Sequence, residues 1–114
     1  FGYLHANCGH CHNPTGSGNA QTGLDLWLRW AELSGPAHEF TAFKAVYDAD
    51  IVWLDGARPE ATKRVDPGSL ENSAMYQRFI AKGEEWSMPP LGTEDVDPTG
   101  KLLFETFINS LALP

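Results

Sequence analysis

The sequence predicts a mostly helical domain, and three stretches predict it. Residues 98–112 carry Leu102, Leu103, Phe107, Ile108 and Leu111 at helical spacing behind Pro98, a residue suited to a first helical turn. A second helix is expected from Ser69 or Asn72 to about Lys82, with Met75, Tyr76, Phe79 and Ile80 on one face and Gly83 as its stop. Residues 1–7 (FGYLHAN) are short, helix-prone and end at Asn7. The chain has 114 residues, 42% hydrophobic and 20% charged, which predicts one globular domain over 1–114 and excludes wholesale disorder.

Between those stretches the pattern is less regular. Asn13-Pro14-Thr15-Gly16-Ser17-Gly18-Asn19 is a dense turn cluster. Leucines at 24, 26 and 28 recur with a period of two, which predicts a short strand that Ala31-Glu32-Leu33 could instead extend as helix. Residues 40–54 are apolar-rich and predict one further strand or helix, and residues 84–97 predict a loop holding Met88-Pro89-Pro90.

Charge excludes several partners. Lys and Arg total 8 against 15 Asp and Glu, a formal charge of −7. Nucleic-acid binding needs clustered cations to neutralise phosphates, and adsorption to anionic membranes needs them too. No apolar run approaches the roughly 18 residues that would span a bilayer, so a soluble domain without membrane insertion is expected. The chain opens on Phe1-Gly2-Tyr3 without an initiator Met, which predicts a processed product or a piece cut from a longer polypeptide.

Cys8 and Cys11 are the two cysteines, too close together to staple a fold. With His12 they spell Cys8-Gly9-His10-Cys11-His12, the C-x-x-C-H signature of c-type haem attachment. Two thiols three residues apart, on one turn, can add to two vinyl groups on one edge of a porphyrin. The next residue then projects its imidazole over the macrocycle to bind iron. Two rivals use the same residues. Cys8-Gly9-His10-Cys11 is also the C-G-H-C of disulfide isomerases, a motif that sits at a helix N-terminus inside a βαβ frame. A zinc site could draw on both thiols and on His5, His10, His12 or His38, but no second ligand pair of similar spacing exists.

If His12 takes one face of the iron, the other face has Met75, Met88, His5, His10 and His38 as candidates. His10 lies between the thiols and His5 one turn before them, so neither reaches the far face easily. His38 reads as a surface histidine in a turn, and Met75 as a core residue beside Tyr76 and Phe79. Met88 is favoured, because Pro89 and Pro90 stiffen the backbone after it and lower the entropy cost of presenting a thioether. The expected metal ligands are therefore His12 and Met88.

Cys8-x-x-Cys11-His12 near the start, Met88-Pro89-Pro90 late and a closing amphipathic helix resemble a monohaem class I cytochrome c. Tyr3-Leu4-His5-Ala6-Asn7-Cys8, His10-Cys11-His12-Asn13-Pro14, Val65-Asp66-Pro67-Gly68, Ser73-Ala74-Met75-Tyr76-Gln77-Arg78 and Met88-Pro89-Pro90-Leu91-Gly92 are similar to cytochrome c domains of large secreted or periplasmic bacterial proteins. The resemblance covers about half the chain and leaves residues 29–62 unmatched. It implies a class I cytochrome c fold in which the first and last helices cross, Tyr3 and Leu4 meeting Phe104 or Phe107. Residues 29–62 would then be an irregular insertion, or a short β-hairpin, between the first and second core helices. It also implies a periplasmic or extracellular location, since haem is attached to this motif outside the bacterial cytoplasm.

These expectations lead to an electron carrier rather than an enzyme, either a monomer or a redox module of a larger oxidoreductase. A thioether opposite histidine raises the haem potential, and six-coordinate iron leaves no site for substrate. Trp86, Tyr76 and Phe79 would keep water from the haem, while Trp86 and Arg78 are candidates to bind its propionates. The expected partner is a secreted or periplasmic copper or quinone oxidoreductase. It would approach the uncharged loop from Asn13 to Asn19 and be steered by Asp48, Asp50, Asp55, Glu84, Glu85, Glu94, Asp95 and Asp97. The alternatives are a thiol–disulfide oxidoreductase and an open-site haem protein acting as peroxidase or gas sensor.

Overall fold

The computed structural model describes residues 1–51, 60–90 and 92–112, without the side chains of Asn19 and Gln21. Five α-helices are present among the described residues: α1 Gly2–Asn7, α2 Ser17–Thr22, α3 Thr41–Val46, α4 Ala74–Ile80 and α5 Pro98–Ser110. Two 3₁₀ turns, Trp30–Glu32 and Ala37–Glu39, precede α3. The chain is partly helical rather than mostly so, because α5 is the one helix of the five longer than two turns. The described residues form isolated bridges but no sheet. They group into two compact units, Phe1–Tyr47 and Asp48–Pro114.

In the first unit, Leu4, Leu24, Leu26, Ala42 and Val46 are buried. The period of two at residues 24–28 is a true in–out alternation, with Leu24 and Leu26 buried and Trp27 exposed. It does not make the predicted strand. The backbone of this segment bonds instead to the motif loop and to α1: Leu26 N–H donates to the His12 carbonyl (2.8 Å) and Leu28 N–H to His5 Nδ1 (3.1 Å). Asp25 pairs with Arg29 at 2.5 Å on the outer side. The apolar stretch from 40 resolves as α3, whose first residue donates its N–H and hydroxyl to the Glu32 carboxylate. Phe1 packs on Phe40 and Phe43 at 6.2 and 5.9 Å between centroids.

The second unit opens on an antiparallel pairing of residues 48–51, inside the stretch expected to be an insertion, with residues 62–65, which run past its end. Asp48 N–H donates to Val65 O (2.9 Å), Arg64 N–H to Ala49 O (2.7 Å) and Ile51 N–H to Thr62 O (3.2 Å). Residues 52–59 of that expected insertion, and Leu91 after the paired prolines, lie outside the described residues. Lys63 ties the pairing down through Asp50 (2.8 Å) and Asp48 (3.2 Å). These bonds hold the Asp50 carboxyl below its ordinary value and the Lys63 ammonium above its own.

Helix α4 starts later than Ser69 or Asn72, because residues 66–73 are committed to a turn. The buried Ser73 hydroxyl accepts from Asp66 N–H (2.8 Å) and donates to Ser69 O (2.7 Å), while Asn72 Nδ2 donates to Asp66 Oδ2 (2.8 Å). The helix also ends at Ile80, short of Lys82. Helix α5 begins as expected, with Pro98 in its first turn and Asp97 Oδ1 accepting from Thr99 N–H at 3.1 Å. Its buried face differs from the expected one. Gly100, Phe104 and Ile108 are buried, whereas Leu102 and Leu103 are 63% and 49% exposed and Phe107 is half-buried. The buried residues fall at intervals of four, so one narrow stripe of α5 meets α4. There Phe104 meets Phe79 at 5.0 Å and Tyr76 at 6.5 Å between centroids.

Candidate functional site

Cys8, Cys11 and His12 come together in one turn directly after α1. Cys8 caps the helix, its N–H donating to Leu4 O (2.8 Å). Its own carbonyl then accepts from both Cys11 N–H (3.2 Å) and His12 N–H (2.9 Å), which folds the three residues into a single turn. The two cysteines carry thiols rather than a disulfide, Cys8 half-buried and Cys11 exposed. Gly9 is buried between α1 and the segment after α2. A Cβ on Gly9 would stand 2.6 Å from His5 O and 3.0 Å from the Trp27 ring, so glycine is required by close approach.

The sequence places Asn13 in a turn cluster, in the stretch that resembles cytochrome c domains and at the start of the expected docking loop. The structure gives it more to do. It is 5% exposed, and its Nδ2 donates to Gly9 O (2.8 Å) and His10 O (3.0 Å). Its Oδ1 accepts from Thr15 N–H (3.1 Å) and from the Thr15 hydroxyl (3.3 Å). Both ends of the amide are used, so the two residues between the cysteines are held from beneath by a neutral group. The signal was local, since every partner lies within four residues, and an Asx turn at Asn13-Pro14-Thr15 could have flagged it.

Position of the thiols also bears on the thiol–disulfide alternative. A reactive C-x-x-C thiol is activated at a helix N-terminus, where the dipole favours the thiolate. Cys8 stands at the C-terminal end of α1, where that field has the opposite sign. The zinc alternative fares no better, because no three His, Cys, Asp or Glu side chains gather for a metal among the described residues. Cys8, Cys11 and His12 could hold a covalent haem: two thiols on one turn, followed at once by an imidazole.

Met88, Trp86, Arg78 and Tyr76 all belong to the second unit. Met88 is half-buried, and its N–H donates to Arg78 O at 3.0 Å, docking the loop on the last turn of α4. The Met88–Pro89 bond is cis. Lys82, expected from the sequence only as the end of a helix, extends its Nζ to the Met88 carbonyl (3.0 Å) and to the Thr93 hydroxyl (3.1 Å). The same ammonium lies 5.4 Å from the Phe79 ring centre.

Arg78 donates Nε–H to Trp86 O (3.1 Å), and burial pulls its guanidinium below the ordinary value. Trp86 is half-buried. Tyr76 is buried and gives its hydroxyl to Glu105 Oε1 at 2.7 Å. Burial first, then that bond, raises the phenol above its ordinary value. Lys101 completes the cluster at 2.5 Å from the same oxygen. Tyr76 therefore joins α4 to α5 through its polar end and through its ring. Comparison of the chain with protein-family models, with curated proteins and with solved structures returns no match.

Proposed function

We propose that this chain is an electron carrier that holds one c-type haem through thioether bonds from Cys8 and Cys11, with His12 and Met88 as axial ligands. The observation that carries this reading is the turn itself. One carbonyl, that of Cys8, gathers the backbones of Cys11 and His12, so two thiols and an imidazole issue from a single turn. When bound, haem supplies a one-electron iron couple whose potential the axial pair sets. The residues of the chain fix the thiols, orient the imidazole and present the thioether. Met88 suits the last role because both its N–H and its carbonyl are engaged, by Arg78 O and Lys82 Nζ, which limits the freedom lost on binding iron. The proposal includes the class I cytochrome c fold, a periplasmic or extracellular location and a redox protein as partner.

Expression with a haem-attachment system tests it. A pyridine haemochrome of covalently bound haem, at one per chain by mass, is the expected result. A colourless protein of unmodified mass would end the haem reading. In the haem-loaded chain, Met88→Ala should abolish the weak Met–iron charge-transfer band and lower the potential, whereas Met75→Ala should leave the band in place. Loss of the band with Met75→Ala alone would transfer the ligand role to Met75.

A further inference from the structure

We infer that Gly18 is a positioning residue for the His12 imidazole. Its missing side chain leaves the space in which the ring stands. A Cβ built on Gly18 would lie 2.6 Å from His12 Nδ1, 2.7 Å from Cε1 and 3.0 Å from Cγ. These are Nδ1 and its two ring neighbours, and distances so short and so nearly equal put the Cβ position over the face of the ring, above its Nδ1–Cε1 side. The backbone at Gly18 is anchored at both ends: its N–H donates to Cys11 O (3.0 Å) and its carbonyl accepts from the Thr22 hydroxyl (2.7 Å). A methyl group at this position therefore displaces the imidazole, the end of a rotatable side chain, rather than the main chain. His12 is held from the other side of its own backbone as well, since its carbonyl accepts from Leu26 N–H. Gly18 thus forms a wall against one face of the ring.

This inference rests on the haem reading and goes beyond it by naming what aims the ligand. Position 18 lies inside α2, where Ala is a better helix former than Gly, so a role in helix stability alone predicts a neutral or stabilising effect of Gly18→Ala. A positioning role predicts the reverse at the iron. With haem attached, Gly18→Ala should raise the potential, because a strained imidazole stabilises ferric iron less. It should also shift the ferric low-spin resonance spectrum. Gly2→Ala, at a glycine with nothing within 4 Å of its Cβ position, should change neither. Wild-type potential and spectrum in a haem-loaded Gly18→Ala chain would overturn the inference and leave the haem reading standing. Absence of covalent haem from the wild type would remove both. Should Gly18→Ala fail to accumulate, the haem-loaded wild type still decides. Nuclear Overhauser contacts between the Gly18 α-protons and the His12 ring are expected, and their absence would overturn the inference.

Discussion

The loop around Cys8–His12 and the loop around Met88 do the same mechanical job by different physical means. In the first, the holding groups are neutral and local: the buried Asn13 amide beneath Gly9 and His10, and backbone N–H groups on the Cys8 carbonyl. In the second, two long cationic side chains hold the backbone. Arg78 reaches Trp86 O, and Lys82 spans Met88 O and Thr93. Neutral bonds are not screened by salt, and the buried one, Asn13 to Gly9, is lost only when the loop opens. The Lys82 ammonium, whose bond to Thr93 is exposed, is screened by salt and exchanges with water more readily. The comparison teaches that the motif loop should open only with its unit, and that the Met88 loop should open locally.

The largest expected effect lies in the helix pair that supports the Met88 loop. Phe104→Ala removes the ring between Tyr76 and Phe79 and should cost about 3–5 kcal/mol. Leu103→Ala, at a residue 49% exposed, should stay within about 0.5 kcal/mol. Chemical denaturation measures both. Equal losses would mean that α5 buries the broad face read from the sequence instead of the narrow stripe.

Next in size is Asn13→Ala, which withdraws two N–H donors, one from a buried carbonyl and one from a part-buried carbonyl, and should cost about 2–3 kcal/mol. Amide exchange at Cys11 and His12 should quicken while exchange at Met88 stays as it was. Faster exchange at all three together would deny the two loops their separate supports. A smaller effect is expected from Lys82→Met, which keeps most of the stem and removes the ammonium. Protection at the Met88 amide should fall roughly fivefold, corresponding to about 1 kcal/mol, with no change at His12. High salt should mimic part of that loss in the wild type and none of it at His12. A salt response at His12 equal to that at Met88 would break the comparison.

The same contrast explains what could be read from the sequence. Helix α5 was legible because its start is local: Asp97 caps, Pro98 follows, and apolar residues recur. The motif turn and α1 were legible for the same reason. Leu24 and Leu26 carried a correct signal of alternating burial, but the partner of that segment is the motif loop, not a strand, and periodicity does not name partners. The late start of α4 was hidden because Ser73, Asn72 and Asp66 are each good capping residues, and their mutual bonds decide which one ends the turn. The buried stripe of α5 was misread because Leu102 and Leu103 are as apolar as Phe104 and Ile108. Only the position of α4 separates them. Gly18 was the least legible, since its role depends on a ring six residues back that folds over it.

The smallest effect is set by pH and belongs to the second unit. Glu105 accepts from Lys101 and from Tyr76, and these bonds, Lys101 first, hold its carboxyl below the ordinary 4.5. A carboxyl lowered in the folded chain contributes stability that is present above 4.5 and fades as pH falls through the folded value. Tyr76 is raised above 10.0, mainly by burial, so its contribution is present below 10.0 and fades as pH climbs through the folded value. Stability from this cluster should therefore be flat between those limits and decline on either side. Asn13 does not titrate, so its hold on the motif loop should persist through both declines. Glu105→Gln keeps an acceptor for the Tyr76 hydroxyl but abolishes the titration, and should flatten the acid limb while leaving a smaller, alkaline one. Melting curves across pH, followed by amide exchange on α5, measure this. An acid limb unchanged in Glu105→Gln would move its origin elsewhere, with Asp50 beside Lys63 as the next carboxyl held below its ordinary value.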